Sequence, residues 1–389
     1  MNVPKLRFGE FNDEWDISIF TDIVKKQSAK YNSENEESDL PCIELEHIAQ
    51  CTGSILGSVN AKSQKSIKNR FAKGNVLFGK LRPYLKKYAK PDFDGVCSSE
   101  IWVFSGKTVI NDFLYSLIQT DFFMGAVSST SGSKMPRAEW SLLGNLAFGY
   151  PKDVEEQQKI ADFLSAVNDK ITALTAQKTA LTQYKQGMMQ RIFSQTLRFK
   201  DDNGADYPDW EAETFDAIAK RTSQKFNPEV EINDFPCIEL EHLEQGTGVV
   251  LGVVSAKGQK SIKTRFEKGN VLFGKLRPYL RKYTLAKFNG VCSSEIWVFV
   301  GVKVCNKYLY YLIQSDDFMN AVDSTSGSKM PRAEWDMLKN MEFSYPASKK
   351  EQIKIAQFLT ELDDKINAVD AQIQSAQQWK QGLLQQMFV

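Results

Sequence analysis

Two stretches of the chain have the spacing of a phosphate-binding loop, the Gly-x-x-x-x-Gly-Lys motif of nucleotide hydrolases. They begin at Gly74 and Gly269, in the segment GNVLFGKLRPYL that occurs twice. In a phosphate-binding loop the Lys is followed by a Ser or Thr that holds Mg²⁺, but here Leu81 and Leu276 follow it. The proline two residues further on favours an extended backbone over the start of a helix. The sequence therefore predicts a β-strand here, and nucleotide hydrolysis is not predicted.

Glu44, Glu46 and His47 in the segment PCIELEH are the other residues whose types suit acid–base or metal chemistry, and the segment recurs at 236–242. The two glutamates alternate with apolar residues, which predicts a strand with both carboxylates on one face. Such a pair can bind a metal or act as acid and base, but it more often pairs with Lys or Arg or accepts hydrogen bonds from DNA bases. Two His residues and no Cys-x-x-Cys pair favour neither catalysis nor a metal site on this chain.

Composition excludes several classes of protein. A chain of 389 residues is long enough for two or three domains. The 49 basic residues nearly balance the 48 acidic ones, so no polyanionic partner is indicated for the chain as a whole. No apolar run reaches the length of a membrane span, and the N-terminus does not resemble a secretory signal. We expect a cytoplasmic protein without a membrane partner, whose six cysteines stay reduced.

A long internal repeat organises the chain. From Trp15 to Leu164 the matching residues recur at a constant offset, beginning again at Trp210. The segment GVCSSEIWVF at 95–104 returns unchanged at 290–299, and STSGSKMPRAEW also occurs twice. A period this long indicates a duplicated domain rather than a solenoid. We expect the α+β class, with two globular mixed α/β domains related by a pseudo-two-fold axis.

A long helix is predicted after each globular part, because good helix formers continue there with apolar residues every seven positions. One apolar seam contains Ile160, Val167, Leu174, Leu181 and Met188 in the first segment, and Ile355, Leu362, Val369, Ala376 and Leu383 in the second. The pattern predicts an antiparallel coiled coil that separates the globular domains. The alternative is an amphipathic helix that lies on its own domain. The predicted boundaries are 1–151 and 196–346 for the globular domains, and 152–195 and 347–389 for the helices.

Each copy contains a local band of basic residues on an otherwise neutral chain. Between His47 and Pro91 there are ten basic residues and no acidic one. Such a band is typical of a surface that binds phosphates. The candidates for contact with phosphates or the major groove are Lys65, Lys68, Arg70, Lys80, Arg82, Lys134 and Arg137, and in the second copy Lys260, Lys263, Arg265, Lys275, Arg277, Lys329 and Arg332. Any one of them could instead be structural, for example Arg82 through an ion pair with Glu44 or Glu100.

The order of motifs resembles the specificity (S) subunit of Type I restriction–modification systems over essentially the full length. The resemblance is carried by PKLRFGEFNDEW, GNVLFGKLRPYLKKY, GVCSSEIWVF and SGSKMPRAEW, by EEQQKIADFLSAVNDKI and KEQIKIAQFLTELDDKI, and by the tails YKQGMMQRIF and WKQGLLQQMF. In that family each globular part is a target recognition domain for one half of a split DNA site, and two antiparallel helices set the distance between half-sites.

The resemblance also implies partners. Double-stranded DNA, two methyltransferase (M) subunits and restriction (R) subunits are expected to bind, and the chain itself is expected to be a non-catalytic subunit without a cofactor. S-adenosylmethionine, ATP and Mg²⁺ are expected on the partner subunits.

The near identity of the two copies departs from the family, in which most members carry dissimilar recognition domains. We therefore expect an interrupted near-palindrome as the DNA site. The copies differ near the expected interface at Ser54/Val249, Ser58/Val253, Asn60/Ser255, Ser63/Gly258 and Asn69/Thr264. Two other classes of protein stay open: a free-standing, transcription-factor-like DNA-binding protein, and a scaffold whose basic bands bind acidic proteins.

Overall fold

A computed structural model describes residues 3–36, 38–128, 135–323 and 330–389 of the chain. The chain divides into two compact units. Unit 1 consists of Met1–Gln177 and Val369–Val389, and unit 2 is Lys178–Ala368. Each unit contains one globular domain and a part of both long helices, so the domain boundaries given above stay predictions. Within the described ranges, no helix is both long and apolar enough to cross a membrane.

The first copy is a mixed α/β domain followed by a long helix. Its elements are β1 (Asp16–Ile19), α1 (Phe20–Ile23), β2 (Val24–Lys26), β3 (Lys30–Tyr31), β4 (Pro41–Ile43), β5 (Val59–Asn60), β6 (Lys68–Phe71), β7 (Val76–Gly79), β8 (Tyr88–Ala89), β9 (Gly95–Cys97), β10 (Ile101–Gly106), α2 (Asn111–Leu117), α3 (Asp121–Ser128), α4 (Trp140–Gly144), β11 (Ala147–Tyr150) and α5 (Val154–Phe193).

The second copy repeats this order. Its elements are β12 (Trp210–Thr214), α6 (Phe215–Ile218), β13 (Ala219–Arg221), β14 (Lys225–Phe226), β15 (Pro236–Ile238), β16 (Val254–Ser255), β17 (Lys263–Phe266), β18 (Val271–Gly274), β19 (Tyr283–Leu285), β20 (Gly290–Cys292), β21 (Ile296–Gly301), α7 (Asn306–Leu312), α8 (Asp316–Asp323), α9 (Trp335–Leu338), β22 (Glu342–Pro346) and α10 (Lys349–Met387). The α+β class is therefore confirmed.

Two sheets pack face to face in each globular domain. In the first copy the strand orders are β2-β10-β7-β8 and β3-β6-β9-β4-β5, with β4 and β9 parallel. Strand β10 is buried on both faces, which explains its unbroken apolar run IWVF. Trp102 and Phe104 pack against the short helices, whereas Ile101 and Val103 pack against the five-stranded sheet.

The stretch that matches the phosphate-binding motif is a strand, as predicted. Strand β7 is buried along its whole length and pairs with β10 and β8. It is followed by a short 3₁₀ helix at Pro83–Leu85 rather than by an α-helix. Arg82, just before that helix, has a φ of 50°, in the left-handed region that non-glycine residues rarely adopt. The backbone therefore turns here without forming a helix N-terminus for a phosphate.

The prediction that Glu44 and Glu46 lie on one face of a strand is wrong. Strand β4 ends at Ile43, and residues 45–47 form a 3₁₀ helix. The Glu44 N–H donates to Nδ1 of His47 over 3.0 Å, while the Glu44 carboxylate accepts from the His47 N–H, which closes a reciprocal cap. Glu46 has an 82% exposed side chain, so the two carboxylates do not form a joint site.

The two long helices run antiparallel within each unit. In unit 1, Ile160 and Leu164 of α5 share a core with Leu383 and Met387 of α10. In unit 2, Met189 and Ile192 of α5 share a core with Ile355, Leu359 and Leu362 of α10. The heptad residues Leu181 and Met188 are only half-buried. The same cores include residues of the adjoining globular domain, so the helices pack on a domain as well as on each other.

A buried carboxylate fixes the start of each long helix. Glu156 of α5 is 1% exposed and accepts two hydrogen bonds from Arg7 (2.7 and 2.8 Å) and one from the Trp15 indole (3.1 Å). The hydrogen bond from the Arg7 side chain to this carboxylate raises the pKa of Arg7. In unit 2, Glu351 accepts from Arg198 and from Trp210 in the same way. The repeated motifs LRF, Trp and EEQQ or KEQI are thus structural: they attach the helix to its domain.

Candidate nucleic-acid interface

Three cationic side chains line a cleft of about 250 Å³ between the two large sheets of the second copy. Arg221 lies at the end of β13, Lys225 in β14 and Lys275 directly after β18. Thr264 of β17 and Trp297 of β21 complete the wall. Because residues far apart in sequence converge here, the cleft concentrates positive charge that the chain as a whole lacks.

Lys26, Lys30 and Lys80 occupy the corresponding positions in the first copy. Burial lowers the pKa of Lys26, and the positive charges of Lys80 and Lys30 lower it further. None of the three lysines forms an ion pair with a carboxylate in the described part of the chain. Like charges held this close repel one another, and an anion between them removes that cost. Nucleic-acid phosphates are the anions that such a cationic site attracts.

An aromatic ring, rather than a carboxylate, contacts one cation of each cleft. Lys26 Nζ lies 4.6 Å from the centroid of the Trp140 ring, and Arg221 Cζ lies 4.8 Å from that of Trp335. Burial lowers the pKa of Arg221, which the charge of Asp336 partly offsets. A cation–π contact orients a cation without neutralising it. The charge therefore stays available to a phosphate.

A buried side chain positions the second cation of each cleft. In the first copy Lys30 Nζ donates to Asn69 Oδ1 over 2.6 Å, and Asn69 Nδ2 donates to the carbonyl of Ile101 over 2.8 Å. In the second copy Thr264 replaces Asn69, and Lys225 Nζ donates to its hydroxyl over 3.4 Å. This difference between the copies thus lies at the cleft, where it changes how firmly a lysine is held.

Lys80, Arg82 and Arg137 are brought together by the backbone. The Arg82 N–H donates to the carbonyl of Pro136 over 2.8 Å, and the Ala138 N–H donates to that of Lys80 over 2.8 Å. Lys275, Arg277 and Arg332 are joined in the same way in the second copy. These predicted residues form a cationic rim beside the cleft, hereafter the rim.

Glu100 pairs with Arg137 of the rim, and not with Arg82 as suggested from the sequence. Arg137 Nε donates to Glu100 Oε2 over 3.0 Å, and Arg332 Nε donates to Glu295 Oε2 over 3.1 Å. Both arginine side chains stay about half exposed, at 53% and 50%. The suggested ion pair of Arg82 with Glu44 or Glu100 is not formed, and Arg82 is exposed.

Lys68 and Lys263 are placed inside the fold. They are 4% and 3% exposed, and their amines contact Glu44 and Glu239. Burial raises the pKa of the Glu44 carboxyl, but the hydrogen bond and charge of Lys68 outweigh it and hold that pKa below its ordinary value. This placement favours the structural alternative for both lysines, and their contact with DNA stays an untested prediction.

Arg70 and Arg265 also have partners within the domain. Arg70 forms an ion pair with Glu36 and lies 5.2 Å from the Tyr31 ring centroid. Arg265 forms an ion pair with Glu231. Lys65 and Lys260 are exposed, and Arg277 is half-buried. Lys134 and Lys329 lie outside the described residues.

Lys26 and Lys30, with Arg221 and Lys225, were not among the predicted site residues, because they precede the basic band of each copy. The available signal was the recurrence of basic residues in VKKQSAK and AKRTSQK at matching positions of the repeat. Only the fold shows that they meet Lys80. Among the described residues, no group of three or more His, Cys, Asp or Glu is arranged to hold a metal ion.

Solved structures share this fold. The S subunit of a Type I restriction–modification system from M. genitalium is 14% identical, with 100% of this chain and 99% of that chain covered and a TM-score of 0.58. A chain from a structure of complex assembly and conformational transition of the type I R-M system is 17% identical, with 95% and 96% covered and a TM-score of 0.58.

Curated relatives are similar in sequence. The Type I restriction enzyme EcoDI specificity subunit of Escherichia coli is 30% identical over 129 residues, 32% of this chain and 28% of that protein. The MjaVIII specificity subunit of Methanocaldococcus jannaschii is 23% identical over 296 residues, 70% of this chain and 68% of that protein. The chain thus spans under a third of the first relative and about two thirds of the second.

The family model described as the Type I restriction modification DNA specificity domain matches the chain twice, at residues 12–183 and 211–376. These two matches include both globular domains and most of both long helices. The chain therefore belongs to the family of Type I restriction–modification specificity subunits.

Proposed function

We propose that this chain is the non-catalytic DNA-recognition subunit of a Type I restriction–modification complex and that it reads a bipartite site. The observation that carries the proposal is the cationic cleft, which occurs at matching positions of both copies. In the first copy Lys26, Lys30 and Lys80 converge without a carboxylate to neutralise them. A charge cluster that the fold leaves uncompensated, at matching positions of a repeat, suits two equivalent contacts with a DNA backbone.

Phosphate contact and base recognition are assigned to different residues. The lysines of the cleft suit phosphates, which fix orientation and carry no sequence information. The arginines of the rim have the planar fork that pairs with both acceptors of guanine, and Arg82, Arg137 and Arg332 are exposed. We therefore assign base recognition to Arg82 and Arg137, with Arg277 and Arg332 in the second copy.

The half-sites follow from the repeat. Near-identical recognition domains are expected to read nearly the same letters on opposite strands, which makes an interrupted near-palindrome. The cleft positions differ between the copies at Lys26/Arg221, Gln27/Thr222 and Asn69/Thr264, so one half-site is expected to differ slightly from the other.

The remaining partners and the location follow from family membership as proposals. Two M subunits that bind S-adenosylmethionine dock on this chain, and R subunits that use ATP and Mg²⁺ join them. The complex acts in the cytoplasm.

The deciding experiment is a methylome. Genomic DNA from cells that express this chain with its M subunit is sequenced for N6-methyladenine. A split motif with similar halves and a methylated adenine on each strand is the expected result. Unlike halves would retain the family assignment and refute the near-palindrome. No new methylation beside a demonstrably active M subunit would favour the alternative, a free-standing sequence-specific DNA-binding protein.

A further inference from the structure

A second groove, of about 810 Å³, lies in unit 2 away from the cationic cleft. One wall is the loop of residues 247–253 with Leu285 of β19 and the nearby Phe288. The opposite wall is formed by Tyr310 of α7 and by residues of α10 that include Thr360. The groove is therefore bounded by a loop, a strand and two helices of a single unit, and its lining is mainly apolar.

The lip of the groove exposes apolar side chains to solvent. Val249 and Val253 line the groove and are 39% and 47% exposed, and their neighbours in sequence Leu251 and Val254 are 64% and 41% exposed. Neighbouring exposed apolar residues on this scale mark surfaces that bind a partner. A DNA backbone offers sugars and phosphates but few apolar groups to such a lip, so DNA is not the occupant that it favours.

The edge of the groove is positively charged. Lys268, Lys287 and Lys307 line it and form no ion pair in the described part of the chain. The carboxylate in its lining belongs to Asp363, which already accepts a hydrogen bond from Lys185 Nζ over 2.6 Å and one from the Tyr311 hydroxyl over 2.8 Å. The groove thus offers apolar surface flanked by cations, which is complementary to an apolar stripe flanked by acids.

The first copy has different chemistry at the same positions. Asp92 and Asp112 stand where the second copy has Lys287 and Lys307, and Ser54 and Ser58 stand where it has Val249 and Val253. In addition Asp112 forms an ion pair with Lys90, the counterpart of Leu285. In a repeat that is otherwise closely matched, the first copy thus has serines in place of two valines of the groove and aspartates in place of two of its three lysines.

We propose that this groove docks an acidic amphipathic helix of a partner protein, and that only the second copy does so. An amphipathic helix places apolar residues of successive turns in a groove while its acidic residues face the flanking lysines. One chain then binds one such helix, although it carries two nearly equal recognition domains. The proposal does not depend on DNA recognition by the cationic clefts.

A defined peptide tests the proposal. A fluorescein-labelled synthetic helix with Leu along one face and Glu on the others is titrated with the full chain, and its anisotropy is followed. The double variant Lys287→Asp/Lys307→Asp, which introduces the residues of the first copy, is expected to weaken binding at least tenfold. Val253→Ser is expected to weaken it severalfold. The matched control uses one position of the repeat: Lys268→Asp weakens binding, whereas Lys73→Asp in the first copy does not.

Three results would overturn the proposal: no binding of the acidic peptide to the unchanged chain, equal binding of a peptide with Lys in place of Glu, or equal losses in Lys73→Asp and Lys268→Asp. If a short DNA duplex displaces the peptide from the unchanged chain, and the same variants also lose binding of the duplex, the groove would be assigned to DNA instead. Binding of duplex DNA is measured in parallel for every variant. A failure of this docking proposal therefore leaves the DNA result intact, and a failure of DNA binding leaves the peptide result intact.

Discussion

Strand β6 separates two lysines that lie in opposite environments. Lys68 faces one side of the strand, where its amine is buried against Glu44. Asn69 faces the other side and holds the amine of Lys30 in a cleft with no carboxylate partner. Because side chains alternate along a strand, one step in sequence separates a cation used to build the fold from a cation left for a ligand. Counting basic residues locates the region but does not separate the two kinds.

A third environment appears where the long helices meet the domains. Lys380 of α10 is only 9% exposed and donates to Gln119 Oε1 over 2.6 Å. Its counterpart Lys185 has the acid Asp363 as a partner at 2.6 Å. Burial lowers the pKa of Lys380 to about 8, while the nearby Cys51 acts in the opposite direction. The charge of this lysine is thus balanced by a carboxylate in unit 2, whereas in unit 1 its hydrogen-bond partner is a neutral amide.

The largest effect is expected from breaking the buried pair. Glu44→Gln keeps an oxygen for the cap but leaves the Lys68 ammonium buried without a counter-charge, which costs about 3 kcal/mol of unfolding free energy. Urea unfolding followed by tryptophan fluorescence measures the loss. The double variant Glu44→Gln/Lys68→Met removes both charges and is expected to recover most of it. A single variant as stable as the unchanged chain would show that Lys68 is not held as a buried cation.

The uncompensated lysine predicts a stability that depends on pH. Below about pH 8 the folded chain carries the buried charge of Lys380. Between about pH 8 and the ordinary lysine pKa of 10.5, the unfolded chain binds more protons than the folded chain. The unfolding free energy of unit 1 therefore rises with pH in this range. Lys380→Met abolishes this rise and stabilises unit 1 at pH 7 by up to about 3 kcal/mol.

Lys185→Met provides the matched control for this prediction. It leaves Asp363 without its amine partner, so it is expected to destabilise unit 2. Urea unfolding of both variants at pH 7 and pH 9.5 makes the comparison. Equal effects of the two substitutions would contradict the difference between the two environments.

The limits of sequence-based prediction follow the same division. The repeat and the heptads are regular patterns, so they revealed the duplicated domain, the buried strand VLFG and the two long helices. The structure of residues 44–47 depends instead on a reciprocal hydrogen bond between Glu44 and His47, which competes with the alternating apolar pattern. The cleft forms because Lys26 of β2 and Lys80, which follows β7, come close together in the folded sheet. No local sequence pattern encodes this long-range contact.

An intermediate effect, on binding rather than stability, is expected from the clefts. Lys80→Ala and Lys275→Ala weaken the affinity for all DNA sequences alike, because phosphates carry no sequence information. If each lysine neutralises one phosphate, each substitution lowers the slope of log affinity against log salt concentration by about 0.9. Anisotropy titrations of labelled duplexes at several salt concentrations measure this slope. The double variant Glu44→Gln/Lys68→Met is measured beside them: an unchanged slope agrees with a structural role for Lys68, and a lower slope would show that Lys68 also contacts a phosphate.

The smallest effect on stability is expected from the rim, where a cation is paired but still exposed. The contact of Arg137 with Glu100 joins side chains that are 53% and 27% exposed, so solvent screens the attraction. Arg137→Ala is therefore expected to change the unfolding free energy by about 0.5 kcal/mol or less, measured by urea unfolding. Because the fold is nearly indifferent to this substitution, a change in DNA preference at one position of one half-site would assign a base contact to Arg137. A loss of stability several times larger would instead place Arg137 with Lys68 among the cations that build the domain.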